Sequence, residues 1–315
     1  MATILERAPA VGGFSRTARR RYRVLADLPL IPISILALLL LVAVFAPVLA
    51  PHGKLTPVKP TPQQCQAKFG TADCPYVDYV PPFWSSGGTI ETPLGTDFLG
   101  RDVLSRLMYG ARISLIVALT GTLFAGAIGT LLGVLAGYMG TWWDHVIMRI
   151  TDAWLTLPSL VFAILLSSVR GPGLWNVVLI LALVFWSRYS RAVRGEVLSL
   201  RERDFVKLAE INGIGKLTII FRHLVPNVMN TVMVLFSLQV GVAVIIEASL
   251  SFLGVGVPPP EPSWGLMMAQ ERDSLMDGRW WLPVFPGVGI TMLVLSANML
   301  GDWLRVRLDP QLRNR

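Results

Sequence analysis

Residues able to move protons, hold metals or attack carbonyl groups are few in this chain, and they are scattered. The three histidines, His52, His145 and His223, fall in separate segments with no H-E-x-x-H pair to grip zinc. No G-x-S-x-G elbow occurs. Glu210 to Leu217 approaches a phosphate-binding loop through Gly215-Lys216. Glu210 stands where that loop needs its first glycine and Leu217 where it needs Ser or Thr, so the chain is not expected to bind ATP itself. Glu247 is the clearest ionisable residue inside an apolar run. A carboxylate in a bilayer is costly, so it must face a cavity or a donor. Two readings stand for it: a pathway or outer-gate residue, or a structural hydrogen bond to a neighbouring helix. Ser237 and Gln239, two turns earlier, could line a passage at mid-depth.

The long polar stretch in the second half is Arg201 to Asn227, RERDFVKLAEINGIGKLTIIFRHLVPN. Ser199 and Glu202 have capping-box spacing and predict a helix start. Phe205, Leu208, Ala209 and Asn212 then recur at helical steps, until Gly213 and Gly215 break the run. A second short helix is predicted from Lys216 to Leu224, with Leu217, Ile219, Ile220 and Leu224 as its ridge and Pro226 ending it. A helix–glycine–helix hairpin between apolar runs cannot bury both ridges alone, so it is expected to dock into another protein's groove.

The elements around these residues are membrane spans. Of 315 residues, 53% are hydrophobic and 15% charged, too apolar for a soluble surface. The net charge of +8 could indicate nucleic-acid binding, but its placement argues for the membrane. Basic residues collect before the first apolar run (Arg16, Arg19, Arg20, Arg21, Arg23), after the fourth (Arg188, Arg191, Arg194) and at the end (Arg305, Arg307, Arg313, Arg315). These places share the cytoplasmic side if there are about six spans. The first span, Ile31 to Ala50, exceeds the roughly 7–15 residues of a signal-peptide core and is read as uncleaved. The second runs from Ile113 to Tyr138, followed by Trp142 and Trp143 at headgroup level. The third, Val146 to Val169, is kinked at Pro158; the fourth starts at Leu174, the fifth covers Val228 to Leu253 and the sixth Trp281 to Leu304. The expected organisation is a basic cytoplasmic tail (1–27), a first transmembrane helix (28–50), an outer loop (51–111), a core of five spans (112–305) containing the 201–227 loop, and a tail (306–315).

Both cysteines, Cys65 and Cys74, lie in the outer loop, where a bridge would persist and would stabilise the loop by roughly 2–3 kcal/mol; two free thiols are the other reading. Thr96 and Asp97 can cap a short surface helix carrying Leu99, Val103, Leu104 and Leu107, either an elbow into the second span or a contact for a binding protein. In that span Gly121, Ala125, Gly129, Gly133 and Gly137 recur every fourth residue, a groove of small residues for close helix packing. Asp152, Asn298 and Asp302 are read as anchors near the inner interface.

The 201–227 stretch resembles the cytoplasmic loop of permease subunits of bacterial ABC importers, E-A-A-x-x-x-G followed nine residues later by I-x-L-P. Ala209 matches the second alanine, Gly213 the glycine and Pro226 the proline. Lys207 stands at the glutamate and Leu208 at the first alanine, while His223 and Val225 replace Ile and Leu. Stretches 95–115, 136–152, 247–265 and 300–310 are similar, in order, to the dipeptide, oligopeptide and nickel branch, and to its C-type subunit.

The resemblance implies an all-α polytopic fold of about six transmembrane helices, the type I importer permease architecture, with both termini cytoplasmic. It implies no catalysis and no cofactor on this chain, with ATP and Mg bound by partners. Those partners would be a homologous B-type permease, two cytoplasmic ATPases and an extracytoplasmic substrate-binding protein, in a bacterial inner membrane and without nucleic acid. Phe205, Lys207, Leu208, Ala209, Glu210, Gly213, Gly215 and Pro226 would then dock the ATPase. The alternative is a secondary transporter or channel driven by an ion gradient, which calls for paired ionisable residues at mid-membrane or inverted repeats.

Overall fold

The computed structural model describes residues 29–308. Among these the secondary structure is helical, with two isolated bridges, Pro57 to Arg101 and Thr96 to Asp102. The helices are α1 (Leu30–Leu49), α2 (Pro62–Phe69), α3 (Val103–Met139), α4 (Thr141–Thr156), α5 (Ser159–Arg170), α6 (Leu174–Arg201), α7 (Asp204–Ile211), α8 (Lys216–Phe252), α9 (Trp264–Gln270) and α10 (Trp281–Leu308). Five of them are long and apolar enough to cross a membrane, and α4 with α5 makes a sixth if the bent pair is one span. The basic cluster Arg16 to Arg23, and Arg313 and Arg315, lie outside the described residues.

The seam between α3 and α6 is the most extensive helix pairing. The small-residue stripe produces it. A Cβ on Gly121 would stand 2.8 Å from the Leu181 Cβ, one on Gly133 2.6 Å from the Ser190 carbonyl, and one on Gly137 2.8 Å from the Val197 Cβ. Gly129 meets the Trp186 carbonyl, and Ala125 is fully buried in the same row. The stripe therefore serves a helix of this same chain. Around the seam, α8 and α10 pack on each other and α8 on α3, while α1 rests on α3 and α10. The outward face of α1, with Leu38, Leu41, Val44 and Phe45, stays exposed, as a lipid-facing helix does.

Four expectations are corrected. No separate surface helix spans 96–107: Asp102 caps α3 directly, accepting from the Ser105 N–H at 2.9 Å, so the helix starts ten residues before the apolar run. Its 37 residues reach about 55 Å, well beyond a hydrocarbon core of about 30 Å. The third span bends at Pro158 as expected but is broken rather than continuous, because the chain turns by 94° between α4 and α5. Pro158 lacks an N–H and forces Leu157 into the extended region, which ends α4. The capping box at Ser199 and Glu202 does not form; α6 continues to Arg201, and α7 starts at Asp204 without a side-chain cap. Finally, Pro226 does not end the helix that begins at Lys216. A π turn at Ile220–Leu224 absorbs the missing donor, and α8 runs on to Phe252.

At the end of the bundle that carries the 50–102 loop, the chain is tightly fastened. Cys65 and Cys74 are bridged, with Cα atoms 5.7 Å apart. Asp97 is buried; it accepts from the N–H groups of Leu99 and Arg101 (both 2.9 Å) and from Arg101 Nε (2.7 Å), and it pairs with Arg106. Arg106 also donates to Gln270 (2.9 Å), and Lys54 pairs with Glu261 at 2.5 Å. Trp264 donates to the Leu107 carbonyl at 3.0 Å and fills the space over Gly110 and Gly289. The loop is thereby locked to the segment between α8 and α10.

Candidate functional site

The hairpin lies at the opposite end. It has two faces of different fate. Val206 and Ala209 of α7 and Ile219, Ile220 and Leu224 of α8 are buried against Val134 and Tyr138 of α3 and Val193, Val197 and Leu200 of α6. The other face leaves apolar groups in the open: Leu208 is 56% exposed, Ile211 80%, Leu217 71% and Phe221 67%. Phe205 is also exposed, its ring 6.2 Å from that of His223, so α7 and α8 share one outward surface. Ala209 is a correction among the docking residues, because its small side chain lets α7 sit down on the spans and faces inward. Lys207 and Glu210 are exposed. Lys207 pairs with Glu202 across the α6–α7 junction at 3.0 Å and holds that carboxyl below its usual range.

The hairpin's turn and exit are mechanically distinct. Gly213 has φ +69, a left-handed conformation, with open space around it; Gly215 also has open space. Beyond them the chain enters α8 and does not leave it for 37 residues. Pro226 is exposed within that helix rather than at its end. The inner half of α6 is tied to α4 by Arg194, whose Nε and Nη2 both reach Asp144 at 2.6 Å, and by the Arg191–Asp152 pair. A force on the hairpin therefore reaches α3, α6 and α8 through packed side chains, and α4 through two ion pairs.

The polar residues within the spans divide differently from expectation. Glu247 is fully buried and receives hydrogen bonds from Ser114 (2.8 Å) and Ser251 (2.8 Å). These hydrogen bonds join α8, which carries Glu247 and Ser251, to Ser114 of α3. Ser237 is buried and donates to the Val234 carbonyl; a Cβ on Gly301 would meet its hydroxyl. Gln239 is buried but engaged by Arg188, whose Nη1 donates to its Oε1 at 3.2 Å. α6 continues for thirteen residues past Arg188. Asn298 lies against Gly241, while Asp152 and Asp302 are exposed. Among the described residues no group of His, Cys, Asp or Glu is arranged to hold a metal.

These helices fit a component of a transport machine, and comparison with known families decides which. Residues 129–314 match the family described as the binding-protein-dependent transport system inner membrane component. The chain belongs to that family. It is 42% identical over 235 residues to the di/tripeptide transport system permease protein DppC of Pseudomonas aeruginosa (strain UCBPP-PA14), covering 75% of this chain and 77% of that one. A protein of Brucella suis biovar 1 (strain 1330), provisionally named a peptide transport system permease, is 38% identical over 275 residues, 87% of this chain and 86% of its own. A crystal structure of an amino acid ABC transporter with histidines is a looser likeness, at TM-score 0.42 and 15% identity over 67% of this chain and 95% of that one, and adds nothing to the assignment. The protein is thus a multi-pass membrane transport component and not an enzyme, and the ion-gradient alternative is set aside. Its family works with ATPase and substrate-binding partners.

Proposed function

We propose that this chain is the C-type permease of a peptide importer in a bacterial cytoplasmic membrane, where it forms half of the path beside a homologous B-type permease. Both termini and the 201–227 hairpin lie in the cytoplasm. The relatives named for di- and tripeptides and for peptides support the substrate class. Two ATPase subunits bind ATP and Mg, and a binding protein delivers peptide to the end carrying the 50–102 loop.

One observation carries the mechanical part. The hairpin is buried on its inner face and leaves Phe205, Leu208, Ile211, Leu217 and Phe221 exposed on its outer face, with α8 rising from it as an unbroken rod. An exposed apolar face at a loop between spans marks an interaction site. Closure of the ATPase pair moves this face, and the bundle follows because its side chains are close-packed and not compliant. Alternating access results from that movement, with hydrolysis and product release resetting it.

The test is co-purification of the ATPases with tagged chain, together with peptide uptake. Leu208→Asp with Leu217→Asp removes the apolar contact without touching the buried face and is expected to abolish both. Gly213→Val strains a left-handed residue in open space, and it is expected to lower uptake while the chain still inserts. Full ATPase recovery and normal uptake from both variants would overturn the docking role.

A further inference from the structure

Arg188, partly buried within α6, has no carboxylate partner among the described residues. Among the described residues every ion pair leaves it out, while Arg191 and Arg194, one and two turns further along α6, are paired with Asp152 and Asp144. Arg188 lies about 21 Å below the start of α6, and Gln239 lies about 20 Å below the end of α8, counting 1.5 Å per residue. The two helices agree on a depth within the lower half of a hydrocarbon core about 30 Å thick. A lone guanidinium does not face lipid at that depth; it faces a wet cavity or a counter-charge.

Its surroundings are organised around it. The guanidinium donates to Gln239 Oε1 at 3.2 Å and to Ser159 Oγ at 3.0 Å, and lies 5.3 Å from the centre of the Phe185 ring. None of these neighbours neutralises it. Because the Gln239 oxygen is taken by Arg188, its Nε2 points elsewhere, and that atom has no hydrogen-bond partner although Gln239 is only 6% exposed. A buried donor left unpaired costs free energy unless something accepts from it. Ser159 opens α5 at the 94° break after Pro158, and no side chain caps that helix. The first-turn N–H groups of α5 are thus presented beside the guanidinium, with the positive end of the helix dipole. Donors on α5, α6 and α8 thus lie around one positive charge that has no carboxylate partner among the described residues.

We propose that Arg188, Gln239 Nε2 and the N-terminus of α5 form a station for the C-terminal carboxylate of a peptide in transit, a proposal that rests on the peptide reading above. A carboxylate offers two oxygens in a plane, which suits the guanidinium fork and leaves lone pairs for the amide and helix N–H groups. Every linear peptide carries that group whatever its side chains, so one fixed station serves a mixed cargo. The amino end is repelled by the same charge, which orients the peptide along the path.

The experiment uses the complete importer, with its second permease, ATPases and binding protein, reconstituted in liposomes. Uptake of labelled dialanine is compared with that of its C-terminal amide for wild type, Arg188→Gln, Arg188→Lys and Gln239→Leu. The binding protein is the same throughout, so a change in the acid-to-amide ratio between variants belongs to the membrane part. Arg188→Gln is expected to cut acid uptake about tenfold and to leave amide uptake within about twofold, the size of a lost charged hydrogen bond. Arg188→Lys retains part of the preference, and Gln239→Leu lowers it. Equal losses for acid and amide would overturn the station and leave Arg188 as an ion pair with the partner permease. A wild-type importer that moves neither peptide would overturn the peptide reading itself, and an amino acid or metal cargo would then be tried.

Discussion

The α3–α6 seam makes a sharp prediction because two glycines on the same helix face the same neighbour at different distances. A Cβ on Gly133 would fall 2.6 Å from the Ser190 carbonyl oxygen and 2.9 Å from the Val193 Cβ. Restoring an ordinary carbon–oxygen contact of about 3.3 Å requires the helices to part by about 0.7 Å at that level. A carbonyl belongs to the backbone and cannot rotate away, so the separation spreads to Gly129 and Gly137. Overpacking of this kind costs on the order of 1–3 kcal/mol. A Cβ on Gly126, by contrast, would meet only the Tyr189 ring at 3.4 Å, an ordinary contact. Replacing glycine by alanine within a helix also contributes up to about 1 kcal/mol of helix propensity. Gly133→Ala should therefore lose roughly 1–2 kcal/mol net, while Gly126→Ala should be neutral or gain up to about 1 kcal/mol. Unfolding in mixed micelles, titrated with SDS and followed by Trp fluorescence, measures both. Equal stability of the two variants would refute the claim that the stripe exists to bring α3 and α6 backbones together.

Other expectations follow from the polar staples. Glu247→Ala leaves the Ser114 and Ser251 hydroxyls without their acceptor and should cost roughly 1–3 kcal/mol in the same unfolding assay, with Glu247→Gln recovering part of it. Asp97→Ala leaves Arg101 and Arg106 buried without their counter-charge and should cost about 3–5 kcal/mol, read as faster proteolysis of the 50–102 loop. Burial pushes the Glu271 carboxyl above its ordinary range, against hydrogen bonds from Ser274 and Phe98 that pull it down. The folded state then holds this proton to higher pH than the unfolded state does. Stability should fall as pH rises from the ordinary carboxylate value through the raised one, and Glu271→Gln should flatten that slope.

Composition and pattern determined the class of this protein without help from the fold. Apolar runs of about twenty residues, basic residues grouped between and after them, and a polar hairpin flanking Gly213 are local features, legible because a bilayer punishes every exposed backbone group and every stray charge. The spacing of Gly121, Ala125, Gly129, Gly133 and Gly137 announced a close helix contact, but α6 as its partner, within the same chain, emerged only when the helices were packed. Local rules misread junctions. Ser199 and Glu202 have the form of a cap and Pro226 the form of a stop, yet α6 runs through Ser199 to Arg201, and α8 runs through Pro226 with a π turn just before it. Polar residues inside the spans were the least legible, since a sequence shows that Glu247 and Arg188 are costly but not what they meet. Among the described residues, tertiary structure gave Glu247 two hydroxyls and gave Arg188 no carboxylate, and that difference separates a staple from a candidate binding group.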